Sequence, residues 1–223
     1  MSSVLEVPQK YSRAKEAVYT VLHDISWEDY EHFDRMMTGR HVRLTYDRGR
    51  LSFMTIGSYH GWLCGLFNQF VIVLTDEYRL PRRCCDDMTC KRSDLQKGLE
   101  PDHCYYITNE SATRGKKVLD LDADPPPDLA IEVDVSPPRL GRESIYEALG
   151  VGELWRFRDG EIHCQVIEHD VFIDADTSKI FHGFRPADLK QFLKRSLETD
   201  DTTLMREFRD WLRNNSLGAD SKT

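Results

Sequence analysis

Apolar and polar positions alternate along several short segments of the chain and follow a helical period in others. Strict alternation predicts strands, and recurrence every three to four residues predicts amphipathic helices. The strands predicted in this way cover 41–46, 51–54, 87–92, 103–108 and 129–135, with two more on either side of Asp159-Gly160. The helices predicted cover 26–39, 58–78, 142–149, 186–197 and 202–213.

Local signals support several of these boundaries. Ser26 is a candidate N-cap and Asp29 stands three residues later, which is a capping-box-like arrangement. The segment 47–50 contains a glycine between two alternating runs, and Asp159-Gly160 is a typical two-residue hairpin turn. Gly150 predicts the end of the short helix before it. We interpret 93–98 and 109–124 as connections without regular structure.

The order of these elements predicts an α/β (α+β) fold with a mixed central sheet. A long helix, three strands, a short helix and a further strand follow one another, and a helix between consecutive strands favours a crossover connection. We predict a flexible N-terminal segment at 1–20, one domain at 21–198, and a C-terminal helix and tail at 199–223. An N-terminal helix and hairpin precede the core, and helices follow it.

Composition excludes some classes of protein. The 223 residues carry a net charge of −8, which argues against non-specific coating of nucleic acid but leaves room for a local basic groove. No apolar run is long enough to span a bilayer, and no signal peptide is recognisable, so we expect a cytoplasmic protein without a membrane partner. The six cysteines form no CxxC pair, so we expect reduced thiols rather than a cysteine-rich zinc site.

Candidate chemistry lies on the strand 129–135, whose alternate side chains are acidic. Glu132 and Asp134 point to one side, opposite Ile131 and Val133, and Asp102 stands at the start of the preceding strand. If those strands are neighbours, Asp102 approaches Glu132. Their oxygens would suit Mg²⁺ or Mn²⁺, which can activate water and stabilise charge on a phosphodiester.

Simpler interpretations of the same acids stay open. The acids could be half-exposed residues of an edge strand. Alternatively, they could be buried and paired with arginine, because burying two carboxylates without partners costs several kcal/mol. If the acids converge without a metal, they repel one another, and Asp102→Asn is then expected to stabilise the metal-free protein.

The stretches "RLTYDRGRLSFM", "GLEPDHCYYITNE", "DPPPDLAIEVDV" and "YEALGVGELWRF" together resemble the Uma-two family of restriction endonucleases, within the PD-(D/E)XK nuclease superfamily. The resemblance covers about 25–194 and implies a restriction-endonuclease-like αβββαβ core. It implies a DNA substrate, a divalent metal held by Asp102 and Glu132, and metal-dependent phosphodiester hydrolysis. It also allows a homodimer, for which the hairpin 155–168 could offer a sheet edge.

In the early hairpin, Arg50 and Ser52 occupy a stretch in which family members often carry an acidic residue. The chain departs from the family pattern at two further places. Asp134 stands where the superfamily has lysine, so we consider Asp134 as a second-shell or second-metal ligand and look elsewhere for the basic residue. Lys91 is our choice over Lys116 and Lys117, although surface lysines are the simpler account of all three.

The third departure concerns the long helix. His60 is followed by glycine rather than by an acid, and it is either a base or substrate contact or an ordinary residue at a helix start.

Two functions therefore stay open: a Mg²⁺-dependent endonuclease, and a nuclease-like module that binds without cleaving. Basic residues that could contact a phosphate backbone follow the long helix and the acidic strand. They are Arg79, Arg82, Arg83, Arg92, Arg139 and Arg142.

Overall fold

The computed structural model describes residues 19–55, 57–86, 88–136 and 140–215. Several predictions lie outside these ranges. They concern residues 1–18 of the predicted flexible N-terminal segment, Arg139 as a predicted phosphate contact, and residues 216–223 of the predicted C-terminal tail. Within the described residues, no helix combines the length and the apolar content needed to cross a membrane.

Two sheets form the framework. The five-stranded hairpin sheet is antiparallel and contains, in spatial order, β1 (Tyr19–Leu22), β3 (Arg50–Thr55), β2 (Val42–Asp47), β6 (Lys97–Leu99) and β5 (Cys90–Arg92). The six-stranded central sheet contains β11 (Val171–Asp174), β10 (Glu161–Glu168), β9 (Glu153–Arg158), β8 (Leu129–Asp134), β7 (His103–Tyr106) and β4 (Arg83–Cys84). Because β8 and β9 are parallel and the other pairs antiparallel, the central sheet is mixed, as predicted.

Five helices lie close to their predicted positions, and a sixth, at Glu110–Thr113, lies in the segment 109–124 that was predicted to have no regular structure. They are α1 (Trp27–Met37), α2 (Ser58–Glu77), the four-residue α3 (Glu110–Thr113), α4 (Glu143–Leu149), α5 (Leu189–Arg195) after a 3-10 turn at Pro186–Asp188, and α6 (Asp201–Asn215). The predicted cap is present, because Ser26 Oγ accepts from the Asp29 N–H at 3.1 Å. Gly150 ends α4 with a left-handed φ of 78°, as its sequence position indicates.

Three apolar clusters join these elements. The largest lies between one face of the central sheet and the helices α2, α5 and α6, and includes Phe70, Ile131, Trp155 and Phe208. A second cluster lies on the other face, where α4 packs against Ala130 and Leu154 and meets β5 and β6 of the hairpin sheet. The third packs α1 on the hairpin sheet. Strand β8 is therefore covered on both sides.

Four strands were not predicted from the sequence: β1, β4, β6 and β11. The predicted strand 87–92 is also shorter, and part of the predicted connection 93–98 enters β6. Because β11 pairs with β10 along Gln165–Glu168, the hairpin 155–168 does not expose the sheet edge that was expected of it. The exposed edge is β11 instead.

Candidate active site

Asp102 and Glu132 occupy facing positions on neighbouring strands. In the antiparallel β7–β8 ladder, His103 lies opposite Ile131, and one further step places Asp102 opposite Glu132. Directly opposed residues of such a ladder have Cα atoms about 4.5–5.5 Å apart. The predicted neighbourhood of the two strands is therefore confirmed, and it brings these two carboxylates together.

The acidic side chains are inside the protein. Asp102, Glu132 and Asp134 are 3%, 0% and 5% exposed. Strand β8 lies between β7 and β9, so the interpretation as half-exposed residues of an edge strand is wrong. Burial at this depth requires partners for the charges.

Asp102 has one well-bonded oxygen and one unpartnered oxygen. Its Oδ2 accepts from the Val133 N–H at 2.9 Å and lies 3.0 Å from His60 Nε2. Its Oδ1 is buried and has no hydrogen-bond partner among the described residues. Burial raises the pKa of Asp102, but the hydrogen bond and charge of His60, with Arg142 and the Val133 N–H, outweigh it and lower the pKa to about 2. The carboxylate is thus ionised and able to accept a cation.

Glu132 shows the same division between its two oxygens. The Tyr146 hydroxyl donates to Oε1. The Arg142 guanidinium lies against Oε2 as a close ion pair, yet Oε2 has no partner in hydrogen-bond geometry among the described side chains. Burial raises the pKa of Glu132 to about 8; Asp102 and Asp134 act in the same direction, and Arg142 opposes them.

Arg142 is the cation at the centre of the acids. It stands at the N-cap position of α4, donates to Asp134 Oδ1 and contacts Glu132. Burial lowers the pKa of this guanidinium, but the three surrounding carboxylates raise it above its ordinary value. Arg156 adds a second positive charge, with its Nε 3.6 Å from Asp134 Oδ2. The interpretation of β8 acids as arginine partners is thus correct for Glu132 and Asp134.

His60 reaches the site from the first turn of α2. The geometry supports the less ordinary of the two interpretations, because the imidazole contacts Asp102 and is 4% exposed. One turn later, Cys64 Sγ lies 3.5 Å from His60 Nδ1. The order cysteine, histidine, aspartate is that of a thiol nucleophile with its base. Burial and then the nearby carboxylates Asp102 and Glu132 strongly raise the pKa of the thiol, so it stays protonated and is a poor nucleophile.

Lys91 has other partners. Its Nζ lies 2.9 Å from Asp34 and 3.6 Å from Glu31, both on α1, and 5.9 Å from the centre of the Tyr30 ring. These contacts hold β5 against α1 and give no support to a role for Lys91 beside Asp102. Lys116 likewise pairs with Asp124.

Several predicted phosphate contacts are engaged within the protein. Arg82 donates to Thr75 Oγ1 at 2.7 Å, Arg83 donates to the carbonyls of Thr113 and Lys116, and Arg92 pairs with Asp94. Arg142, which was expected to flank a phosphate, is instead buried among the acids.

The hairpin sheet covers the site from the side of α4. A small pocket beside Arg142 is lined by Leu140 and by residues of the hairpin sheet, namely Tyr19, Arg43, Thr45, Ser52 and Met54. Because Glu132 is fully buried, a phosphodiester can reach it only if neighbouring side chains move.

Sequence reasoning missed two members of the site, Tyr146 and Cys64. Both follow a named residue by four positions on a helix, Tyr146 after Arg142 and Cys64 after His60, and such pairs share a helix face. That spacing is the signal that could have found them.

A comparison with models of known protein families gives a match. A model of the Uma2 family, described as "Putative restriction endonuclease", matches residues 27–175. The chain belongs to the Uma2 family. The matched range includes Asp102, Glu132, Arg142 and His60, and with it both sheets apart from β1. Among curated proteins, none matches the sequence closely enough to be called a relative. The Uma2 match, together with the mixed central sheet, confirms the restriction-endonuclease-like fold class that was predicted from the sequence.

Proposed function

We propose that this Uma2 protein is a metal-dependent DNA endonuclease of the cytoplasm that hydrolyses phosphodiester bonds with Mg²⁺ or Mn²⁺. The observation that carries the proposal is that Asp102 and Glu132 lie on facing positions of β7 and β8, and that Asp102 Oδ1 is buried without a hydrogen-bond partner among the described residues. Glu132 Oε2 is compensated by its ion pair with Arg142 alone. A buried carboxylate oxygen without a donor is costly, and a divalent cation between the two acids would relieve that cost at Asp102.

The donor set fits such an ion. Asp102 and Glu132 supply hard oxygen ligands, and Asp134 lies on the same face of β8. When bound, a divalent ion supplies an activated water and stabilises negative charge on the phosphodiester.

Residues of the chain supply the remaining functions. Arg142 stays cationic beside both strand acids, so we assign to it the positive charge that the superfamily places at position 134, in preference to Lys91. Arg156 and Arg142 together hold Asp134, which positions Arg142 rather than binding substrate directly. Tyr146 fixes the orientation of the Glu132 carboxylate.

A second candidate is a nuclease-like module that does not cleave. The specific observation in its favour is that Arg142 occupies the space between Glu132 and Asp134, in a site that the hairpin sheet covers. A guanidinium can compensate buried acids in place of a metal.

The decisive experiment combines binding and cleavage. Calorimetry with Mg²⁺ and Mn²⁺ and a supercoiled-plasmid assay are carried out on wild type, Asp102→Ala and Glu132→Ala, with Glu198→Ala as a control for loss of a surface carboxylate. The endonuclease requires metal-dependent cleavage that both site variants lose and the control keeps. Metal binding without nicking supports the non-cleaving module. Absence of metal binding in the wild type rejects the endonuclease and also supports the non-cleaving module, in which Arg142 compensates the acids in place of a metal.

A further inference from the structure

We propose that His60 and Cys64 join Asp102 in binding a divalent ion of the Zn²⁺ and Co²⁺ class, so that this chain carries a mixed nitrogen, sulfur and oxygen site. The inference rests on the proposed function in one respect, because Asp102 is common to both. It goes further by naming two ligands from α2 and the class of ion that they select.

The geometry is that of converging ligands. One donor atom each from His60, Cys64 and Asp102 lies within 4.8 Å of the other two. His60 Nε2 is 3.0 Å from Asp102 Oδ2 and 3.8 Å from Cys64 Sγ. In a tetrahedral zinc site, bond lengths near 2.0–2.3 Å place neighbouring ligand atoms about 3.3–3.8 Å apart. Small side-chain adjustments would therefore convert the present contacts into a coordination shell.

The unpartnered Oδ1 of Asp102 is an independent observation that points to a cation at this position. The Asp102 side chain is 1% exposed, and its other oxygen is fully engaged by the Val133 N–H and His60. A carboxylate so arranged has one oxygen left for a cation beside the imidazole.

The donor types decide the class of ion. Imidazole and thiolate ligands suit Zn²⁺ and related transition metals, whereas Mg²⁺ takes oxygen ligands almost exclusively. On binding, Cys64 Sγ and His60 Nε2 each give up one proton to solvent. The sulfur and Nε2 lone pairs then bond the ion, and no oxidant or reductant is needed.

A second cluster of metal-ligand types, Cys84, Asp86 and His103, differs in two respects. Cys84 is exposed and Asp86 is partly exposed. No side-chain oxygen of this cluster is buried without a hydrogen-bond partner among the described residues, because Asp86 Oδ1 lies 2.7 Å from His103 Nδ1 and 2.8 Å from Cys84 Sγ. The inference is therefore confined to His60 and Cys64.

Cobalt titration tests the site through a spectroscopic signal that is independent of cleavage. Metal-free protein is titrated with Co²⁺ and Zn²⁺, on wild type, His60→Gln, Cys64→Ser and the control His163→Gln, which removes an exposed histidine of β10. We expect tetrahedral cobalt absorption with a sulfur-to-cobalt charge-transfer band in wild type and control. Cys64→Ser should lose that band, and both site variants should bind Zn²⁺ at least about tenfold more weakly. Circular dichroism of each metal-free variant establishes that it is folded.

The outcomes separate this inference from the endonuclease proposal. If Mg²⁺ binding depends on Asp102 and Glu132 while Co²⁺ gives no charge-transfer band, the inference is overturned and the endonuclease proposal stands. If Zn²⁺ binds through His60 and Cys64 but no metal supports plasmid cleavage, the inference stands and the endonuclease proposal falls. Equal Zn²⁺ affinity in wild type and in folded Cys64→Ser and His60→Gln would also overturn it.

Discussion

Arg142 lies against the Oε2 oxygen of Glu132, and both side chains are buried. The sequence separates them by ten positions, with the turn after β8 between them. This contact makes the metal-free site tolerable, because the guanidinium compensates an acid that water cannot reach. It also means that any cation at Glu132 shares that carboxylate with Arg142 or displaces the guanidinium.

Arg142→Met should strongly destabilise the metal-free protein. Removing one partner of a buried ion pair typically costs about 3–5 kcal/mol, because it leaves uncompensated charge inside. Here Glu132 and Asp134 would both lose their contact with the guanidinium. Urea unfolding at pH 9, where Glu132 is ionised, with chelator present measures the free energy of unfolding.

The matched control for this change is Arg158→Met. Arg158 pairs with the exposed Asp159, and such surface pairs contribute only about 0–1 kcal/mol. Equal stabilities of the two variants would contradict the compensating role of Arg142. Partial recovery of Arg142→Met by Mn²⁺ would show that a divalent ion can replace the guanidinium.

Stability of the metal-free protein should fall as the pH rises from about 4.5 to about 8. The pKa of Glu132 is raised from 4.5 to about 8, chiefly by burial, so between these values the folded state binds a proton that the unfolded state has lost. The contribution is complete below pH 4.5 and lost as the pH passes 8. Glu132→Gln should remove this part of the pH dependence, measured by urea unfolding at several pH values.

The exposed Glu168 provides the comparison, because Glu168→Gln should keep the wild-type pH profile. A profile that is identical in Glu132→Gln and wild type would assign the titration to another group.

Asp102→Asn should destabilise the metal-free protein at neutral pH, which reverses the expectation based on repulsion between converging acids. The pKa of Asp102 is lowered to about 2, since the contacts with His60, Arg142 and the Val133 N–H outweigh burial. Its stabilisation is present above the unfolded value near 3.8 and is lost as the pH falls towards 2. Thermal unfolding at pH 7 and at pH 3 should show a larger loss at pH 7. A more stable variant at pH 7 would mean that repulsion dominates.

The sequence predicted the facing acids because strand alternation is strict. Glu132 and Asp134 had to share a face opposite Ile131 and Val133, and the start of the preceding strand placed Asp102 nearby. The turn at Asp159-Gly160 and the helix cap at Ser26 were also predictable from the local sequence. A two-residue hairpin turn and an N-cap position each require a backbone conformation or a side-chain acceptor that few residue types provide.

The missing parts depend on tertiary contacts that leave weak local patterns. Lys97-Gly98-Leu99 resembles a polar turn, yet it forms β6 between β2 and β5; Gly98 is required there because the Tyr30 hydroxyl would lie 2.3 Å from an added Cβ. Arg142 was predicted to be a surface residue that contacts phosphate. The residues around it in the sequence do not indicate that the start of α4 packs against β8, where Arg142 contacts Glu132 and Asp134. The partners of Lys91 were hidden for the same reason, since α1 is far from β5 in sequence.

The C-terminal helix α6 offers a test of how far the folded unit extends beyond the predicted boundary at 198. Phe208 is fully buried against Phe70 of α2 and Phe192 of α5, with ring centres 5.1 and 4.9 Å apart. Truncating such a side chain typically costs about 3–5 kcal/mol. Because α2 also covers β8 and carries His60, we expect Phe208→Ala to lower the stability of the whole protein in one cooperative transition.

The control for this prediction is Arg206→Ala on the same helix. Arg206 is exposed, so this change should alter stability by less than about 0.5 kcal/mol. Hydrogen exchange would contradict the prediction if Phe208→Ala released α6 alone and left the amides of β7 and β8 as protected as in wild type.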